Sequence, residues 1–236
     1  MKHSDWHQKY ADSVRWRVTP AGIEIEPGAL IEPTPGQRVR TAQYIRWCRP
    51  AFEAAAICYG VPIELLLACA LTESSADNPA TPLRENEMCV REEPGFVADE
   101  RTPHRVSAGL CQLLLSTARA TMKDSSIDRG WLLVPENSIR ACASYMHDLE
   151  PKTEHDPILT ACAYNAGGLY RNSSPENRWK LRQYPIGTSK HADRFAEYFA
   201  AGMQAEAEFS APSFHELLDG YGDRTDLTVI NPRSSR

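Results

Sequence analysis

Residues 65–79 read LLLACALTESSADNP, and the first seven of them are apolar on every side of a helix. A helix of that kind is buried within protein rather than exposing one wet face. Glu73 falls two residues beyond the run. Its i−4 and i−3 neighbours are Cys69 and Ala70, so a helix continuing through it aims the carboxyl group into or beside the core. Two readings are open at this point. One is a structural acid satisfied by hydrogen bonds at a helix end; the other is a catalytic acid. At the negative, C-terminal end of an apolar helix, dipole and desolvation both disfavour the anion and predict a raised pKa. That is the condition a general acid working near neutral pH requires.

Working outward from this helix, the pattern is helical on both sides. Residues 39–59 place Tyr44, Trp47, Phe52, Ala55, Ala56 and Tyr59 inward, with a kink at Pro50 and a stop at Gly60. Residues 76–105, broken by Pro79, Pro82, Pro94 and Pro103, are predicted to be a long loop. Beyond it, Ser116 to Ala118 suggest the capped start of a helix running to Met122. Residues 135–150 carry the stripe Ile139, Cys142, Ala143, Met146 and Leu149. Asp156 caps a further helix ending at Gly167 and Gly168, residues 171–187 form a polar loop, and Ala192, Phe195, Phe199 and Met203 mark a last long helix. No strand is expected after residue 26, and the main domain reads as all-helical. The expected division is an appendage and linker over 1–37, a helical domain over 38–206 and a tail over 207–236. Within the appendage, residues 5–16 suggest a short helix, residues 22–26 alternate like a strand, and one short helix is expected in the tail at 213–219.

The 236 residues carry 42% hydrophobic and 24% charged residues and a net charge of −5. This is the composition of a folded chain with one substantial core, without the basic footprint of a nucleic-acid binder. The longest apolar run is too short to span a bilayer, so no membrane insertion is expected. The seven cysteines are odd in number and form no CxxC pair; they read as reduced core residues, not as disulfides or metal ligands.

Three separated segments, taken together, carry a resemblance. They are ALTESS at 70–75, SAGLCQL at 107–113 followed by STA at 116–118, and AYNAG at 163–167. In this order they resemble the lysozyme-like catalytic domain of soluble lytic transglycosylases, whose signatures are an E-S-S, a G-L-M-Q and an A-Y-N-A-G segment. The helix at 135–145 (PENSIRACASY) is similar as well. The resemblance spans about residues 40–200 and implies a mainly α, lysozyme-like fold of the goose-type lysozyme and lytic transglycosylase kind, with a small N-terminal appendage.

The resemblance also implies roles. Glu73 matches the single catalytic acid/base. Ser74 and Ser75 follow it, Gly109 and Gln112 match the segment lining the sugar cleft with Cys111 in place of the usual Met, and Tyr164 and Asn165 match residues facing the acid and the substrate. The implied reaction is cleavage of the MurNAc-β-1,4-GlcNAc bond of peptidoglycan with formation of 1,6-anhydroMurNAc ends, without metal or cofactor. Two departures qualify the match. The loop at 76–105 is an apparent insertion, and its Glu92, Glu93 and Asp99, together with Asp77, are candidates for the second carboxylate that inverting hydrolysis by a muramidase requires. Residues 188–191 read Thr-Ser-Lys-His where an acidic residue is expected before the last helix. A third reading is an inactive wall-binding or assembly module. The expected partners are peptidoglycan glycan strands and, since no signal peptide is apparent, delivery machinery such as a phage particle, a holin or a secretion apparatus that carries the protein from the cytoplasm to the wall.

Overall fold

The computed structural model describes residues 2–74, 89–205 and 207–218. The architecture is mainly helical, assembled around the apolar stretch quoted above. Helix α2 (Ile63–Ser74) is buried from Ile63 through Leu71 and lies at the centre. Helix α1 (Pro35–Tyr59) packs along it and opens with a capping box, in which Thr34 Oγ1 accepts from Gln37 N at 3.2 Å and the Gln37 side chain accepts from Thr34 N at 2.8 Å. Pro50 has no N–H for the ladder and crowds the preceding turn. The helix kinks just before it, at Cys48 (φ −126°, ψ 18°).

Helix α7 (Lys190–Met203) covers α2 on another side and also packs against α6 (Pro157–Ala166), while α5 (Pro135–Thr153) packs against α1, α6 and α3 (Leu115–Met122). A short α4 (Arg129–Leu132) leads into α5, and α8 (Phe214–Leu218) ends the described chain. Glu64, buried on α2, holds α8 in place by accepting from Ser213 Oγ and Phe214 N, both at 2.8 Å. Among the described residues no helix is long and apolar enough to cross a membrane.

The N-terminal region is a three-stranded antiparallel sheet, β1 (Trp16–Thr19), β2 (Gly22–Ile25) and β3 (Ala29–Leu30). Its Trp16, Val18 and Ile23 are fully buried within the helical core. Asp156 ties the two together. One carboxylate oxygen caps α6 by accepting from Ile158 N and Leu159 N at 2.9 Å; the other accepts from Trp16 Nε1 at 2.9 Å and meets His7 Nε2 at 2.6 Å. The sheet also presses on α7. A Cβ at Gly22 would stand 2.7 Å from the Ala200 Cβ.

Three expectations need correction. Residues 5–16 form no helix: Gln8 and Ser13 side chains bond the backbone of Ala11, Ser13 and Tyr10 in turns, which competes with a helical ladder. The main domain is not all-helical, since β4 (Arg91–Glu92), β5 (Val106–Ala108) and β6 (Leu113–Leu114) form a second antiparallel sheet. Strands of two or three residues are too short to reveal an alternating pattern. Finally, α3 starts at Leu115 without a side-chain cap, ahead of the expected start at Ser116.

Candidate active site

Glu73 occupies the last turn of α2, where the apolar helix runs out of the core. Its side chain keeps 16% exposure. Burial raises its pKa to about 7, against a partial opposing pull from the Arg91 and Arg194 guanidinium groups. At neutral pH a large fraction of Glu73 therefore carries its proton. Ser74 fixes the helix end on which Glu73 sits: its Oγ bonds back to Ala70 O at 2.8 Å and lies 3.1 Å from the Tyr44 hydroxyl on α1. Ser74 is thus engaged as a strut between two helices.

The β5–β6 turn is held by three separate devices. Gly109 adopts φ +80°, and a Cβ there would stand 2.0 Å from Leu132 O, so only glycine fits. Gln112, itself at φ 47°, is nearly buried; its amide donates to Gly109 O at 2.9 Å and to Cys89 O at 2.5 Å, and its carbonyl accepts from Ser107 Oγ at 3.2 Å. From α6, the Tyr164 hydroxyl donates to Cys111 O at 2.8 Å, and from α5 Ser138 Oγ accepts from Cys111 N at 3.1 Å. Tyr145 leans on the Tyr164 ring at 5.4 Å between centroids. Burial drives the Tyr164 phenol upward, and the charge of Glu73 bears on it in the same direction. Asn165, one residue on, accepts from Tyr184 N and so fastens the loop that follows α6.

The candidate second carboxylates are placed differently. Glu92 meets Arg129 Nη1 at 3.0 Å, and Asp99 takes the same guanidinium at Nε, 2.9 Å away. The Arg129 hydrogen bonds hold Asp99 below the usual carboxylate range. Glu93 is exposed, with its backbone N bonded to Arg105 O at 2.8 Å. Successive side chains on a strand point to opposite faces, which accounts for the division of labour on β4: Arg91 acts on Glu73 while Glu92 reaches Arg129. Ser75 and Asp77 lie outside the described residues.

The structure adds a group that the sequence reading marked only as a departure. His191, in the first turn of α7, brings Nε2 to 3.7 Å from Glu73 Oε1, with its side chain 10% exposed. Burial, and secondarily Arg194, lowers its pKa to about 4, so it is neutral at pH 7 and the contact is not an ion pair. Its Nε2 has no hydrogen-bond partner. Arg91 and Arg194 are the other neighbours that sequence reasoning missed. Neither lies in one of the three motif segments.

Beneath Glu73, the Sγ atoms of Cys69, Cys111 and Cys142 lie within 4.8 Å of one another. They are the metal-ligand types that soft ions prefer. Burial pushes the Cys69 and Cys111 thiols well above their ordinary range; at Cys142 burial is outweighed by hydrogen bonding with Cys111, Cys69 and Tyr164, which draws that thiol well below it. All three are buried in the core. Cys58 and Cys89, by contrast, lie partly or fully exposed.

A helical domain that ends an apolar helix in a carboxyl group with a pKa near neutrality has the equipment of a general-acid enzyme. The family is specific. Residues 50–184 match the family model described as Transglycosylase SLT domain, which is more than half of the chain, and the protein belongs to this family of lysozyme-like peptidoglycan lytic transglycosylases. Among solved structures it is similar to an inactive mutant of the lytic transglycosylase Slt from Pseudomonas aeruginosa, with 18% identity and a TM-score of 0.43 over 65% of this chain and 23% of that one. The chain thus corresponds to under a quarter of that protein's length. A search of curated proteins finds no match.

Proposed function

We propose that this chain cleaves the MurNAc-β-1,4-GlcNAc bond of peptidoglycan as a lytic transglycosylase, with Glu73 as its single acid and base. The observation that carries the reading is the electrostatic setting of Glu73. Among the described residues, the charges acting on it come from Arg91, Cys142 and Arg194, with no carboxylate among them, while Glu92 and Asp99 are both engaged by Arg129. Inverting hydrolysis needs a second carboxylate holding a water across the scissile bond; of the described candidates, Glu92 and Asp99 are tied to Arg129, and Glu93 is exposed with no described contact to Glu73.

In the proposed reaction the neutral Glu73 gives its proton to the glycosidic oxygen as the bond to C1 breaks through an oxocarbenium-like state. The substrate's own N-acetyl oxygen stabilises the cation. The Glu73 carboxylate then takes the proton of the C6 hydroxyl, whose oxygen closes on C1. Glu73 ends as it began, and the product is a 1,6-anhydroMurNAc end formed without water.

The test is mass spectrometry of soluble products from purified sacculi treated with the wild-type protein and with Glu73→Gln. Anhydromuramoyl products that vanish in the variant are expected. Reducing muramic ends in place of them would mean hydrolysis, and no products from either protein would leave a binding module.

A further inference from the structure

We propose that His191 is the positioning residue of Glu73: its Nε2–H donates to Glu73 Oε1 and so places the acid's proton on Oε2, the oxygen left for the glycosidic bond. The role deepens the single-acid reading above and rests on it. Two observations converge on it. The two side chains approach to 3.7 Å from different helices, α2 and α7, just beyond the hydrogen-bond distance that the proposed contact requires. The imidazole is nine-tenths buried and its Nε2 is unpartnered. A buried ring nitrogen without a partner is costly to maintain, and Glu73 is the polar group it approaches.

A neutral donor suits both halves of the cycle. Before bond cleavage, an N–H directed at one carboxyl oxygen leaves the proton on the other, which fixes the direction of proton delivery. After cleavage, the same N–H stabilises the new carboxylate. That carboxylate then accepts the C6 hydroxyl proton, and His191 keeps its own proton throughout. An acidic residue in the same place would repel the carboxylate. Other groups bearing on Glu73 are Arg91 from β4, Cys142 from α5, Tyr164 from α6 and Arg194 from α7. Only His191 brings a neutral nitrogen to a carboxyl oxygen at this distance among the described contacts.

The sign of the effect is fixed by the donor role. A donor to the anion lowers a carboxyl pKa, so its removal raises it. Protein labelled with ¹³C at the glutamate δ carbon is titrated without substrate, with Glu73→Gln identifying the resonance. His191→Phe keeps the bulk of the ring without the donor and is expected to raise the Glu73 pKa by about half a unit or more. His191→Gln, whose side-chain amide nitrogen reaches the Nε2 position, brings it back toward the wild-type value. On sacculi, His191→Phe is expected to lower kcat by about tenfold, with KM within twofold and the alkaline limb of the pH profile displaced upward; His191→Gln recovers most of the loss. An unchanged or lowered Glu73 pKa in His191→Phe, or equal behaviour of the Phe and Gln variants, would overturn the assignment. The substrate-free titration reads His191 even if wild-type protein yields no anhydro products, so the two proposals fail separately.

Discussion

Replacing Glu73 by Gln should stabilise the fold in alkaline solution and leave its pH response flat where the wild type declines. The carboxyl group has a pKa of 4.5 in the unfolded chain and about 7 in the folded protein. Between these values the folded state holds a proton that the unfolded state has released, so wild-type stability falls as pH rises through this window and levels off above it. At 1.36 kcal/mol per pH unit the total is about 3 kcal/mol, an upper figure because the side chain keeps some contact with solvent. Gln cannot ionise. Its own packing and hydrogen-bonding costs form an offset that is the same at every pH, and all other titrating groups are common to both proteins. The difference in Tm between variant and wild type is therefore expected to shift in favour of the variant by roughly 6–12 °C between pH 4.5 and pH 8.5. Thermal denaturation followed by far-UV circular dichroism in matched buffers reads this directly. A difference that stays constant across the range would show Glu73 titrating as an ordinary carboxylate, and the general-acid reading would go with it.

The remaining predictions concern the frame around that acid. Turnover on sacculi is expected to decline above about pH 7, as Glu73 loses the proton it must donate; activity that keeps rising to pH 9 would contradict this. Gly109→Ala forces a Cβ to within 2.0 Å of Leu132 O at a positive φ and is expected to cost about 3 kcal/mol or more, read by urea denaturation. Tyr164→Phe removes the donor to the buried Cys111 O and should cost about 1–2 kcal/mol in the same assay. Arg129→Met breaks partly exposed ion pairs and should change stability by no more than about 1 kcal/mol. It should also let the Asp99 pKa return upward, so the contribution that Asp99 makes at neutral pH, lost in wild type as pH falls through its depressed pKa, disappears.

The helical core was legible because its signals are long. Residues 65–71 have no polar side, and the stripe from Ile139 to Leu149 repeats over several turns, so periodicity alone locates both helices. The parts that escaped rest on short or distant contacts. β4 has two residues, and its importance lies in which of them faces Glu73. Trp16 opens β1 opposite Ile25, and its indole N–H bonds Asp156, 140 residues away, a contact that no local pattern encodes. Motif matching cannot distinguish a side chain that meets substrate from one that holds the site together. Ser74 and Gln112 spend their hydrogen bonds inside the protein.

That distinction bears on how the acid is made. Burial first, and Cys142 after it, drive the Glu73 pKa upward, and with nothing opposing them the group would remain a poor proton source for want of a stabilised anion. Arg91 and Arg194 pull it down from two sides, one on a strand of the second sheet and one on α7. The value near 7 is therefore a balance between a dry helix end and two cations brought by separate elements. Ser74 fixes the helix end, while the Gly109–Gln112 turn and its Tyr164 bond fix the sheet that carries Arg91. Residues that hold the helix end and the turn can thus govern the acid through its surroundings, and their replacement should displace the pH profile before it abolishes turnover.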